Sequence, residues 1–114
     1  MAVLRIGSLP ETALTAAAEF HAKWLPNVQT CLAGQLNHLA LIFPPADHTH
    51  RAWRLAAIQS LARESAPVRV NGLASDSAKA ITAALYYLES AEGVTGQLLQ
   101  LDDTGAEEVV PLPA

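Results

Sequence analysis

Four short apolar runs, Ala2 to Gly7, Leu39 to Phe43, Val68 to Leu73 and Gln97 to Leu101, alternate with three stretches of helical periodicity inside 114 residues. Nothing constrains the chain more. The order βαβαβαβ with short connections brings consecutive strands side by side in parallel, because each helix returns the chain to the end where the previous strand began. Such crossovers are expected to be right-handed. The fold class expected is α/β: a three-layer, mostly parallel four-stranded sheet with helices on both faces, half of a doubly wound fold, forming one domain over residues 1–114.

Local chemistry sets the expected boundaries. Ser8-Leu9-Pro10-Glu11 has capping-box form, so a helix should start there, with Leu14, Ala17, Ala18, His21 and Leu25 on one face. Pro26 has no amide hydrogen and should kink or stop that helix, after which Asn27 could cap a second one ending near Gly34. Leu39 to Phe43, closed by Pro44-Pro45, suits a strand buried on both faces. The next helix is placed from about Thr49 to Ala66, with Leu55, Ile58, Leu61 and Ala62 inward and Arg51, Arg54, Arg63 and Glu64 mostly outward. Ser75 or Asp76 is expected to cap a helix with the stripe Ala78, Ile81, Ala84, Leu85 and Leu88. Asp102 to Gly105 reads as a turn, and Val109-Val110 as a short antiparallel return strand.

The chain is 51% hydrophobic and 16% charged, so some apolar surface should remain outside and self-association is expected. A net charge of −4 gives no reason to seek nucleic acid or an anionic membrane. Cys31 is the only cysteine, which excludes an internal disulfide and suits a reducing compartment. Arg5 and Glu11 interrupt any secretory core, and no run approaches the ~18 apolar residues of a membrane span, so a cytoplasmic location is expected.

Three blocks carry a resemblance: Ser60-Leu61-Ala62-Arg63-Glu64 leading into Arg69-Val70-Asn71, the helix Ala80 to Leu88, and Thr95-Gly96-Gln97 with Asp102 beyond it. Over residues 51 to 110 the chain resembles the C-terminal half of the short-chain dehydrogenase/reductase family. The resemblance implies a truncated, degenerate Rossmann-like member. The family's catalytic Tyr-x-x-x-Lys would fall at Asp47 and Arg51. An aspartate anion has no proton to give a carbonyl, and arginine does not reproduce the shape of the lysine. The family's serine position is taken by Pro44-Pro45 or lost in a shortened loop, and Ser75-Asp76 stand where Pro-Gly usually supports the nicotinamide. The glycines, at positions 7, 34, 72, 93, 96 and 105, form no G-x-G, and Gly7-Ser8 alone is a poor pyrophosphate cradle. No cofactor and no enzymatic activity of the family's kind are therefore expected.

Asp47-His48-Thr49-His50 leaves His48 and His50 as weak metal candidates, with His21 and His38 unplaced. Trp53 and Arg54 lie on the helix that lines a four-helix dimer contact in the resembled family, and Tyr86 and Tyr87 on the helix of its other contact, which makes these four the interface candidates. Adjacent tyrosines point about 100° apart on a helix, so one of the pair could be core. Three readings follow. The first is a non-enzymatic remnant acting through self-association, as a dimer, or by binding a related dehydrogenase. The second is a small-molecule or nucleotide binder using the crevice around Pro44 to His50 and Ser75-Asp76, and the third a metal-dependent enzyme through His48 and His50. The edge strand Ala2 to Gly7 is expected to be paired in a dimer or shielded by Glu107 to Leu112.

Overall fold

The computed structural model describes residues 1–101; the expected turn at Asp102 to Gly105, the return strand at Val109-Val110 and the shielding segment Glu107 to Leu112 lie outside the described residues. Strand β1 spans Ala2–Arg5 and is followed by helix α1, Ala13–Glu19, a π-helical turn, Phe20–Trp24, and helix α2, Leu25–Leu32. Strand β2 is His38–Phe43, and a 3-10 turn at His48–His50 leads into helix α3, Arg51–Ser65. Strand β3, Arg69–Ala74, helix α4, Ala78–Ser90, and strand β4, Leu98–Gln100, complete the order.

All four strands are parallel and lie in the order β1-β2-β3-β4. The register pairs Leu39 with Val70, Leu41 with Gly72 and Phe43 with Ala74. All six residues of β2 are buried, as its unbroken apolar run demands. One face of the sheet carries Leu39, Leu41, Phe43, Val70 and Leu98, packed against Phe20, Val28, Ala57, Ile58 and Leu61 from the α1–α2 arm and α3. The other carries Ile42, Leu73 and Leu99 against Ile81, Ala84 and Leu88 of α4.

This layering corrects the expected handedness. The chain steps across the sheet in one direction, yet α2 and α3 cover one face and α4 the other. The β3–α4–β4 crossover therefore has the opposite hand to the two before it, left if those are right. The cause is visible in α3, which already covers β3 and β4 on its own face. A Cβ at Gly72 would stand 3.0 Å from Ile58 Cγ1 and 3.1 Å from Leu98 Cδ1. No room remains beside α3 for another helix, whereas the opposite face needs α4 to cover Ile42 and Leu73.

Several helix boundaries and faces also differ from expectation. Ser8 caps nothing: α1 starts at Ala13 with Thr12 as its extended N-cap, and the Thr12 hydroxyl bonds the Thr15 hydroxyl at 2.9 Å rather than an amide. Residues 7–12 stay outside the helix, and the Glu11 carbonyl in this segment is held by His50, 2.8 Å away. The buried side of α1 is Ala16, continued by Phe20, while Leu14 is 85% exposed. Pro26 does not end the helical arm. The turn before it widens into the π-helical segment, which absorbs the missing amide and the clash of the ring with the preceding turn. Asn27 consequently lies inside α2 and caps nothing. Helix α4 is capped by Ser77, whose Oγ accepts from the Ala80 amide at 3.2 Å, while buried Ser75 accepts from the Ser77 amide. Its inward stripe accordingly includes Ala80, and Ala78 is exposed.

Candidate functional site

The carboxyl ends of the strands are where an open parallel sheet places its ligands. Here that rim contains Ile6-Gly7, Pro44 to His50 and Ser75-Asp76. Asp47 is exposed and precedes the 3-10 turn; its Oδ1 accepts from the Thr49 hydroxyl and, at 3.0 Å, from the Thr49 amide. These two donors, the hydroxyl first, hold the carboxyl below its ordinary pKa. Arg51 is the exposed first residue of α3. Asp47 thus lies outside the helix, and the pair has no common helical face on which an acid and its activating cation could cooperate.

His50 is buried and fully engaged. Its Nε2 donates to the Glu11 carbonyl at 2.8 Å, and its Nδ1 accepts from the Trp53 indole nitrogen at 3.1 Å. Both ring nitrogens serve as a clip between the loop before α1 and the start of α3, so neither is free to take a metal. His48 is exposed beside it. His21 donates from Nδ1 to the Ala17 carbonyl at 2.7 Å, and His38 is buried in the centre of the sheet. The four histidines are dispersed, and among the described residues no three His, Cys, Asp or Glu side chains assemble into a metal-binding group.

Arg54 corrects its expected outward placement and its candidacy as an interface residue. It is 2% exposed, donates from one terminal nitrogen to the Pro44 carbonyl at 2.9 Å, and packs 4.8 Å from the Phe43 ring centroid and 5.7 Å from that of Trp53. Its Nε has no partner among the described residues, and burial pushes its pKa down. Phe20, Phe43 and Trp53 surround one another with centroids 5.5 to 5.9 Å apart. Arg54 is thus stem and cation in an aromatic cluster beneath Pro44, a placement that its charge, expected to face solvent, concealed.

The residues carrying the resemblance act as braces. One Arg69 terminal nitrogen donates to the carbonyls of Ala91 at 2.7 Å and Leu88 at 3.0 Å, closing the C-terminal end of α4. Asn71 is wholly buried. Its Nδ2 donates to the Val94 carbonyl at 3.0 Å and to His38 Nε2 at 3.1 Å, and its Oδ1 accepts from the Gln97 amide at 3.0 Å. Thr95 Oγ1 takes the Val70 amide at 3.0 Å, and Gly96 turns the chain into β4 with a φ of +73°. His38 is the member that sequence reasoning left unplaced. Its only signal was a position immediately before an apolar run, where the strand had been expected to begin one residue later. Accepting at Nε2 places its proton on Nδ1, which is buried without a partner. Burial first, then the Arg69 guanidinium and the N-terminal amine, push its pKa down to about 4, with Glu89 partly opposing.

A groove of about 740 Å³ lies between the α1–α2 arm and α3, on the side of these helices away from the sheet. Leu25 and Leu32 form one wall and Trp53, Ala56, Ser60 and Glu64 the other, with His21 at the end nearest Trp53. The stripe of α3 residues recurs at three and four residue intervals, so it is one continuous helix face. Trp53 is half-buried there. Tyr86 and Tyr87 are 79% and 53% exposed on α4, across the sheet from the groove, and neither belongs to the core.

A parallel sheet in sequential order, helices on both faces and a ligand rim at the carboxyl ends of the strands define a Rossmann-like α/β domain. A family model described as SDR-like, short chain dehydrogenase-like protein, matches residues 4–101, and the chain belongs to that family. No curated protein and no solved structure gives a match. No helix of the described residues is long and apolar enough to cross a membrane.

Proposed function

We propose that this SDR-like protein is non-catalytic and acts through protein association on the face formed by α2 and α3. The observation that carries this reading is the use made of the polar residues around the start of α3, of which Asp47 stands at the family's tyrosine position. Asp47 is satisfied by Thr49 as the cap of a 3-10 turn, His50 is closed at both nitrogens, and Arg54 is turned inward on Pro44. A side chain locked as a structural partner is not available to donate a proton to a carbonyl or to receive one. Apolar groove walls meanwhile remain open on the outer side of the helices. The single cysteine, Cys31, is half-buried and unpaired, which accords with a cytoplasmic site of action.

The test is a fluorescence titration with NADH and NADPH, followed by turnover assays over a panel of ketones and aldehydes. Neither binding nor turnover is expected. Cofactor-dependent turnover that disappears in Arg51→Ala would overturn the non-catalytic reading.

A further inference from the structure

We propose that the free edge of β1 pairs with the β1 edge of a second copy of this chain, antiparallel about a twofold axis at Leu4, so that two sheets run on as one. This contact is separate from the α2–α3 face. Strand β1 ends the sheet order, and β2 is its one neighbour among the described strands. The Ile6 amide donates to the Ile42 carbonyl at 2.8 Å, so by the alternation of a parallel ladder Leu4 and Ala2 also turn their backbone groups toward β2. Those of Val3 and Arg5 point outward, with no strand partner among the described residues. An antiparallel copy centred on Leu4 sets Val3 opposite Arg5 in both directions, as hydrogen-bonded pairs that satisfy all of these groups.

Charge favours a second copy as the occupant. Arg5 is level with Ile42, which packs on α4, so Val3 and Arg5 lie on the α4 face, where Val3 is 43% exposed. Neither Arg5 nor Glu89 has an ion-pair partner among the described residues. Glu89 acts on His38 at the amino end of β2, about 13 Å along the strands from the level of Arg5, so the two cannot meet within one chain. Reversal about Leu4 brings Arg5 of the second copy to the level of Val3, half that distance from the Glu89 end, and the same pair forms again across the axis. The other face fits as well. Trp24 covers Gly7, where a Cβ would stand 3.2 Å from its ring, and α2 then runs back along β1. Cys31 lies about 10 Å further along α2, and Leu4 about 10 Å back from Gly7 along β1, so the two are at one level. Leu25, Gln29 and Leu32 flank the groove toward α3 and Val28 is buried on the sheet, which leaves half-buried Cys31 on the opposite flank, over the β1 edge. The two copies of Cys31 therefore face each other across the axis.

Light scattering on size-exclusion peaks of the wild type should give at least twice the monomer mass, and a short bifunctional maleimide should join two chains through Cys31. Val3→Pro removes an outward amide and leaves the β1–β2 ladder intact. It should weaken the contact by roughly thirtyfold and abolish the cross-link, with an unchanged circular dichroism spectrum. Arg5→Glu and Glu89→Arg should each weaken association by roughly tenfold, and the double variant should recover most of it because the exchanged charges meet again. An oligomer in which Cys31 does not cross-link, or one indifferent to Val3→Pro, overturns the edge contact and leaves association through the α2–α3 face standing; a strictly monomeric wild type overturns both. A double variant no better than the singles overturns the antiparallel orientation. Val3 and Arg5 amides protected from hydrogen exchange in a monomer would assign the edge to another segment of the same chain and overturn the second copy.

Discussion

Acid should destabilise this protein through His38, and the size and sign follow from its surroundings. The ring is 1% exposed, accepts from Asn71 at Nε2, and has its pKa lowered from 6.5 to about 4. In the unfolded chain it protonates near its ordinary value, so protons favour the unfolded state as pH falls. The stability that His38 contributes by remaining neutral is complete above about pH 6.5 and is lost progressively toward pH 4. A fall of ~2.5 pKa units corresponds to about 3 kcal/mol over that window, at 1.36 kcal/mol per unit. His38→Leu removes the titration and leaves Asn71 Nδ2 with the Val94 carbonyl alone, a loss of about 1 kcal/mol at neutral pH. Urea unfolding of both proteins at pH 7.5, 6.5, 5.5 and 4.5 should show the wild type more stable at pH 7.5, with the order reversed by pH 4.5. Stability curves that run parallel across the whole range would refute the reasoning, since shared carboxylate titration cancels in the difference.

Further substitutions probe the packing and the helix caps. Arg54→Met keeps the stem between Phe43 and Trp53 and removes a buried cation that no carboxylate among the described residues neutralises; thermal unfolding should show it at least as stable as the wild type, whereas Arg54→Ala should lose about 3 kcal/mol through the cavity it leaves. Gly72→Ala forces a Cβ to 3.0 Å from Ile58 and should cost about 1–3 kcal/mol in urea, partly recovered by Ile58→Val in the same chain. Ser77→Ala removes the α4 cap and should cost about 1 kcal/mol, while Ser8→Ala should leave the unfolding midpoint within error.

The strands were legible because a continuous apolar run buried on both faces needs no tertiary information, and β2 meets that condition throughout. The helix starts were not. Ser8 and Ser77 both lie a few residues ahead of an apolar stripe, and which one caps depends on the partners around it: His50 holds the Glu11 carbonyl from a distant part of the chain, while Ser75 accepts from the Ser77 amide just before α4. The face of α1 failed for a related reason, since Ala16 is buried by the close approach of α1 to its neighbours while the larger Leu14 turns outward. In the candidate site, Asp47 lies in the loop ahead of α3 and Arg51 at the start of that helix, and their separation by the 3-10 turn depends on Thr49. Arg54 and His38 are two polar residues whose burial periodicity could not show. One is anchored by the Pro44 carbonyl and aromatic rings, the other by an asparagine on the neighbouring strand, 33 residues away.

The sequential strand order has a consequence for assembly. Every register pair joins segments roughly 30 residues apart, so each strand closes a loop of similar length on the one before it. The β2–α3–β3 unit contains the most completely buried strand and the Gly72–Ile58 contact, and can form without either outer strand. We predict that folding nucleates there. Leu41→Ala should slow folding in stopped-flow chevrons, whereas Leu4→Ala and Leu99→Ala should mainly accelerate unfolding. The reversed hand of the last crossover then has a kinetic meaning: α4 closes onto a face that the nucleus has already laid flat, so β4 joins as a late addition to a formed sheet.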